Sequence, residues 1–143
     1  MTLPATITLP GILDSLYDLM AFVTSHAREQ GFSVERIRDI ELAVEEVLVN
    51  IIKYAYGNCD QKGSIEITCQ PADGRGFVLE IADSGIPFDI TSVPDPDVNA
   101  DINDRQIGGL GIYFVKQLMD EVRYRREEDR NKLTLVVHKT VSS

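Results

Sequence analysis

Two polar residues one helical turn apart, Glu46 and Asn50, interrupt an apolar-patterned run, ELAVEEVLVNIIKYAY, from Glu41 to Tyr56. An α-helix turns about 100° per residue, which puts Glu46 and Asn50 about 40° apart on one face. The apolar stripe of Ile37, Ile40, Val44, Val47, Leu48 and Ile51 lies on a different face. A helix that packs this stripe therefore presents Glu46 and Asn50 together, on a side not consumed by packing. Glu45 points elsewhere, about 140° from Asn50. The pair has a definite chemistry open to it. An amide oxygen is a hard ligand of the kind Mg²⁺ takes beside waters and phosphate oxygens. A carboxylate one turn earlier can accept the proton of a hydroxyl or water attacking a γ-phosphate. A solvated face shared with Asp39 and Lys53 is the plain alternative.

Two further groups fit the same chemistry. Asp83 ends a strand-like segment and is followed by Ser84 and Gly85. Its carboxylate can accept a hydrogen bond from an exocyclic amine such as adenine presents, and Gly85 would let a base approach the backbone closely. An ordinary Asp-Ser-Gly turn is the alternative. Gly108, Gly109, Leu110 and Gly111 stand just ahead of a helical pattern and offer backbone amides and a helix N-terminus to phosphates. This is not a P-loop, because no Lys-Ser or Lys-Thr follows. Nor is it a dinucleotide fingerprint, because the third glycine of GxGxxG would fall at Phe114.

The elements that must hold these groups can be read in chain order. Ala5 to Leu9 alternates and reads as a short strand closed by Pro10-Gly11. Leu13 to Gln30 has helical spacing and stops at Gly31. Ser33 is a plausible N-cap for the central helix, Val34 to Tyr56, with Glu35 in its first turn and Gly57-Asn58 suited to a left-handed end. Ser64–Gln70 and Gly76–Ala82 alternate as a hairpin that delivers the chain to Asp83. A lid loop over about 84–108 follows, rich in acidic residues and proline, then a helix from Ile112 to Asp120. A final hairpin, Glu121–Arg126 and Lys132–Lys139, turns across Glu128 to Asn131. This order predicts an α+β fold, a two-layer sandwich with a mixed sheet and three helices on one face.

The chain has 143 residues, 43% hydrophobic and 26% charged, which suits one domain over 1–143. A net charge of −9 argues against direct nucleic-acid or anionic-membrane binding and leaves room for a basic protein partner. Without an apolar run long enough to span a bilayer or a leader-like start, a cytoplasmic location is expected. Cys59 and Cys69 are expected to be free thiols, and His26 and His138 structural or surface residues, so no zinc site is expected.

Taken together, ELAVEEVLVNIIKYAYGN, IADSGIPFD and GGLGIYFVKQLMDEVRYRR resemble the N, G1 and G2 boxes of the GHKL ATPase superfamily. Within it the chain is most similar to the anti-sigma factor serine/threonine kinases, through Pro87-Phe88-Asp89 and Met119 to Val122, and the likeness runs from Leu9 to Lys139. The resemblance implies a Bergerat-type, histidine-kinase-like sandwich holding ATP, with Asn50 on Mg²⁺ and Glu46 as catalytic base. It also implies that Asp83 reads the adenine amine, that Gly85 lies near the base and that Gly109 and Gly111 belong to the phosphate lid. Family members phosphorylate a serine or threonine on a STAS-domain anti-anti-sigma factor, sequester a sigma factor and commonly act as homodimers.

Two departures stand out. Tyr54 replaces the His that many members carry after the N box, and Ile107 stands where some place Arg before the glycines, with Arg105 close by. An ATP-binding partner-switching module without kinase activity is therefore the alternative reading. A histidine-kinase fragment fits less well, since no dimerisation helix pair with a phospho-accepting His precedes the domain. Gyrase-like and mismatch-repair ATPases need a transducer domain that 143 residues cannot hold.

Overall fold

The computed structural model describes residues 4–57, 63–72, 76–92 and 107–138, with 107–111 as backbone only. Strand β1 (Ala5–Pro10) leads through a short 3₁₀ turn into α1 (Leu16–Glu29) and α2 (Val34–Asn50). Hairpin β2 (Ser64–Ala72) and β3 (Gly76–Asp83) follows, then α3 (Ile107–Leu118) and hairpin β4 (Glu121–Glu127) and β5 (Arg130–His138). The five strands form one sheet in the order β1-β2-β3-β5-β4. Ile65, Ile67 and Cys69 of β2, Phe77, Leu79 and Ile81 of β3, and Leu133, Leu135 and Val137 of β5 are buried at alternate positions. That is the signature of a sheet covered on one face. Against it packs the predicted α2 stripe, every member of which is buried, with Leu19, Val23 and Ala27 of α1 and Ile112 and Val115 of α3.

The α+β two-layer class holds, but the sheet is antiparallel throughout rather than mixed. The reason is topological. Strands β3 and β4, joined through α3, do run in the same direction, since both are antiparallel to β5. They do not pair, because β5 folds back and inserts between them.

Local signals explain most boundaries. Ser33 caps α2, its Oγ accepting the Arg36 N–H at 3.1 Å. Arg36 in turn donates to the Leu118 carbonyl (2.6 Å) at the end of α3 and to Asp120 (2.9 Å), tying the start of one helix to the end of another. The last hairpin turns more tightly than expected. Glu128 and Asp129, at φ of 55° and 62°, make a two-residue turn, so Arg130 and Asn131 belong to β5. Positive φ at both central residues matches the twist of the flanking strands without help from glycine.

The central helix also ends differently. It is α-helical only to Asn50 and then widens into a π-helical turn, Ile51–Tyr56, closed by Gly57 N–H to the Ile52 carbonyl at 3.2 Å. Gly57 has φ +43° and ψ −127°, which glycine tolerates and L-residues rarely adopt. The turn seats Tyr56, 2% exposed, against the start of β2: its hydroxyl donates to the Ser64 carbonyl (2.6 Å) and accepts from Ser84 N–H (2.8 Å). Its ring leaves no space for side chains at Gly11 or Gly63, where an added Cβ would lie 2.5 Å and 2.9 Å from Tyr56 atoms.

Tyr56→Phe keeps the ring and removes two part-buried hydrogen bonds of about 0.5–1.5 kcal/mol each, so it should cost about 1–3 kcal/mol. Urea unfolding of the two proteins measures this, and an unchanged midpoint would contradict the bridging role.

Candidate functional site

The buried rows of β3 and β5 each end in a polar residue. Phe77, Leu79 and Ile81 lead to Asp83, and Val137, Leu135 and Leu133 lead back to Asn131. These two face each other as a cross-strand pair, 2% and 4% exposed, where the alternation calls for hydrocarbon. Asp83 Oδ1 accepts from Asn131 Nδ2 and from Gly85 N–H, both at 2.9 Å. Its other oxygen, Oδ2, bonds to no described residue. Burial raises the Asp83 pKa above the ordinary 3.8, while those two hydrogen bonds and the charges of Arg126 and Arg130 pull it the other way.

Asn131 also donates to the Ile86 carbonyl (2.8 Å) and accepts from Phe88 N–H (3.1 Å) and the Tyr124 hydroxyl (2.6 Å). Across the layer interface stands α2. Asn50 is 3% exposed, so its face is buried rather than left free of packing as the helical spacing implied. Its Nδ2 donates to the Glu46 carbonyl at 2.6 Å, which turns the amide back along its own helix and leaves Oδ1 without a partner among the described residues. Glu46 is half-buried, and its carboxylate forms no hydrogen bond or ion pair with a described residue; Glu45 is exposed.

Gly85 has a close neighbour within the protein: a Cβ there would lie 2.4 Å from the Ala55 carbonyl oxygen, so the missing side chain permits close approach to the end of the π turn. The next residue completes the contact, Ile86 N–H donating to Ala55 O at 3.0 Å. Arg126 of β4 holds the Gly85 carbonyl at 2.8 Å from the other side. Tyr54, where a His was the family expectation, stacks on Phe88 with centroids 5.7 Å apart. Val47, Ile51, Ile81, Asp83, Phe88, Tyr124 and Asn131 border a cavity of about 20 Å³. That is room for about one water, whereas ligand pockets hold about 300–1,000 Å³.

The glycines are not a loop ahead of a helix. Helix α3 begins at Ile107, so Gly108, Gly109, Leu110 and Gly111 belong to its first turn, in which the N–H groups of Gly108 and Gly109 have no intrahelical acceptor. Arg105, Cys59 and residues 93–106 of the expected lid lie outside the described residues. Cys69 is buried, and burial pushes its thiol up to about 12, which makes it inert. Among the described residues no helix is long and apolar enough to cross a membrane.

A model of the histidine kinase-like ATPase domain matches residues 9–137. This chain belongs to that family. Among curated relatives of the domain, the serine-protein kinase RsbW of Listeria monocytogenes is 30% identical over 106 residues, 71% of this chain and 66% of the relative. The serine-protein kinase RsbW of Bacillus cereus is 32% identical over 106 residues, 71% of this chain and 64% of the relative. The chain thus spans somewhat under two thirds of the length of these relatives. The crystal structure of the RsbU and RsbW domains of a Mycobacterium tuberculosis protein superposes with a TM-score of 0.66 at 20% identity, covering 96% of this chain and 32% of that one, and shares the fold.

The residues fit the ligands of an ATPase domain. Two buried acceptors, Asp83 Oδ2 and Asn50 Oδ1, have no use within the described structure, and an orphaned buried acceptor is the mark of a group kept for an external donor or cation. Asn131, Tyr124 and Arg126 were missed by the sequence reading. Asn131 had a signal, since Asn131, Leu133, Leu135 and Val137 alternate like the row ending in Asp83.

A carboxyl group that holds its proton more tightly folded than unfolded loses stability as pH rises from the unfolded value through the folded one. Asp83→Asn, whose Oδ1 can keep the two donors, should therefore match or exceed the wild type in melting temperature at pH 7. The difference should vanish below about pH 3.8. A variant less stable at pH 7 than at pH 3.5, relative to wild type, would reverse that sign.

Proposed function

We propose that this ATPase domain is a serine/threonine protein kinase of the anti-sigma type. It would use Mg-ATP to phosphorylate a STAS-domain anti-anti-sigma protein and would sequester a sigma factor, acting as a cytoplasmic homodimer. The observation that carries the reading is a pair of buried acceptors, one on each layer, and a half-buried carboxylate, none of which has a partner among the described residues. Asp83 Oδ2 accepts the exocyclic amine of adenine, and Gly85 seats that end of β3 against the helix so that the carboxylate stays in place. The free first-turn amides of Gly108 and Gly109, with Leu110 and Gly111 completing the turn behind them, would face phosphate oxygens, helped by the positive end of the helix dipole. Asn50 Oδ1 is the protein's ligand to Mg²⁺, which needs few protein ligands beside water and phosphate. Bound Mg-ATP supplies the phosphoryl group and neutralises its charge; Glu46 takes the proton from the attacking serine or threonine hydroxyl.

The likeness to the two RsbW kinases, each matched over most of this chain, supports the choice of a serine as acceptor. A second reading has one observation in its favour. Ile107 offers no charge to the phosphates at the start of α3, which suits a module that binds nucleotide to set the shape of a partner surface and moves no phosphate.

Calorimetric titration of ATP with and without Mg²⁺ tests the site first. Binding should need Asp83 and should gain from Mg²⁺ only while Asn50 is present, so Asn50→Ala loses the metal-dependent part and Asp83→Ala loses binding. Glu46→Gln should slow transfer to an anti-anti-sigma substrate by about 10²- to 10⁴-fold while ATP affinity stays within threefold, roughly the range of general-base removal. Phosphoserine detected on the substrate by mass spectrometry rules out the second reading, and undiminished transfer by Glu46→Gln removes the base from its role.

A further inference from the structure

Asn131 spends its whole hydrogen-bonding capacity on the surroundings of Asp83. An amide side chain has two donors and two acceptor sites. Here both donors go to acceptors, Asp83 Oδ1 and the Ile86 carbonyl, and both acceptor sites take donors, Phe88 N–H and the Tyr124 hydroxyl. The orientation of the amide follows from its partners, because a backbone N–H can only donate and a backbone carbonyl can only accept. The nitrogen must face Asp83.

The consequence falls on the carboxylate. With Oδ1 occupied by Asn131 and Gly85, Asp83 has one oxygen left for a ligand, and Oδ2 of an ionised carboxylate can only accept. A purine with an amine at C6 offers it a donor. A purine with an oxygen at C6 sets acceptor against acceptor in a buried site, which repels. If Asp83 were protonated on Oδ2, the preference would reverse, since the hydroxyl could donate to that oxygen. The base the site accepts therefore depends on what holds Asp83 ionised. Around it stand the Asn131 amide, the Gly85 N–H, the guanidinium groups of Arg126 on β4 and Arg130 on β5, and the Tyr56 phenol of the π turn.

We infer that Asn131 is the positioning residue for base selection: by donating to Oδ1 it keeps Asp83 an acceptor and so sets the preference for a 6-amino over a 6-oxo purine nucleotide. This rests on the reading of Asp83 as the base-recognising group.

The cleanest change is Asn131→Asp. It keeps the acceptor toward Phe88 N–H and Tyr124, but turns the donor facing Asp83 into a second carboxylate oxygen, so the pair must share a proton. Tyr124→Phe is the comparison. It removes one bond from the same amide and leaves the donor to Asp83 untouched. Wild type and both variants are titrated with ATP and with ITP, its 6-oxo counterpart, by calorimetry. The ratio of ATP to ITP affinity should fall by at least about tenfold in Asn131→Asp, the scale of one hydrogen bond to a charged group, and stay within about threefold of wild type in Tyr124→Phe. Equal loss of affinity for both nucleotides in Asn131→Asp, with the ratio kept, overturns the inference and leaves Asn131 a structural residue. An equal fall of the ratio in Tyr124→Phe also overturns it, by showing that general loosening suffices. If Asn131→Asp does not fold, Asn131→Ser, with a shorter donor, takes its place under the same criterion. A wild type that binds neither nucleotide overturns the nucleotide-site reading, and this inference with it. A wild type that binds both equally overturns this inference alone.

Discussion

The architecture depends on a main-chain contact between its two layers. Where β3 ends, Gly85 lies so close to Ala55 that no side chain fits between them, and Ile86 N–H is bonded to the Ala55 carbonyl. Two residues of β3–loop chain and the last turn of the central helix are thus locked at backbone distance, with Tyr56 bridging Ser64 and Ser84 beside them. Backbone contacts of this kind have no rotamers to give. The α2 helix carrying Glu46 and Asn50 and the strand carrying Asp83 consequently keep a fixed relation, although nothing in the sequence joins them more closely than 33 residues, from Asn50 to Asp83. The π-helical turn belongs to the same constraint, since its wider spacing is how Ala55 and Tyr56 both come to face the strand ends.

That rigidity makes an unfavourable burial tolerable. A carboxyl oxygen and an amide oxygen without partners among the described residues, Asp83 Oδ2 and Asn50 Oδ1, each cost on the order of 1–3 kcal/mol. The hydrocarbon of β3, β5 and α2 offsets this, with Asp83 and Asn131 standing at the ends of their rows and Asn50 flanked by buried Val47, Leu48, Ile51 and Ile52. The remaining bonds to Asp83 and Asn131 all come from groups whose own positions are fixed by the sheet or by the segment after β3. In that segment Phe88 rests against exposed Tyr54 and borders a cavity of about 20 Å³.

Much of this was legible in the sequence, and for identifiable reasons. Helical and alternating periodicities located the α2 stripe and the rows of β2, β3 and β5 because burial on one face leaves a regular imprint. Ser33 announced its helix through a preference that is local. What escaped was set by neighbours distant in sequence. The direction of the sheet turned on where β5 inserts, the π turn on packing against Gly11 and Gly63, and the burial of Asn50 on what covers the other side of α2. Helix α3 starts five residues early, at Ile107, because its glycines adopt helical backbone that propensity alone disfavours. Asn131 was overlooked for a narrower reason. Assigning it to a four-residue turn hid that it continues an apolar row, and a two-residue turn at Glu128 and Asp129 restores it to the strand.

The sheet order has a bearing on how the chain reaches its native state. Strands β2 and β3 pair locally, and so do β4 and β5, but β3 meets β5 only by closing a long stretch of chain, Gly76 pairing with His138 and Asp83 with Asn131. Local pairings form readily, whereas a non-local one must first meet the entropy of loop closure. Either hairpin formed alone contains Asp83 or Asn131, never both. Asp83 and Asn131 come together in the same event that joins the two halves of the sheet, so a half-folded chain lacks this buried polar pair altogether, and its formation reports completed folding.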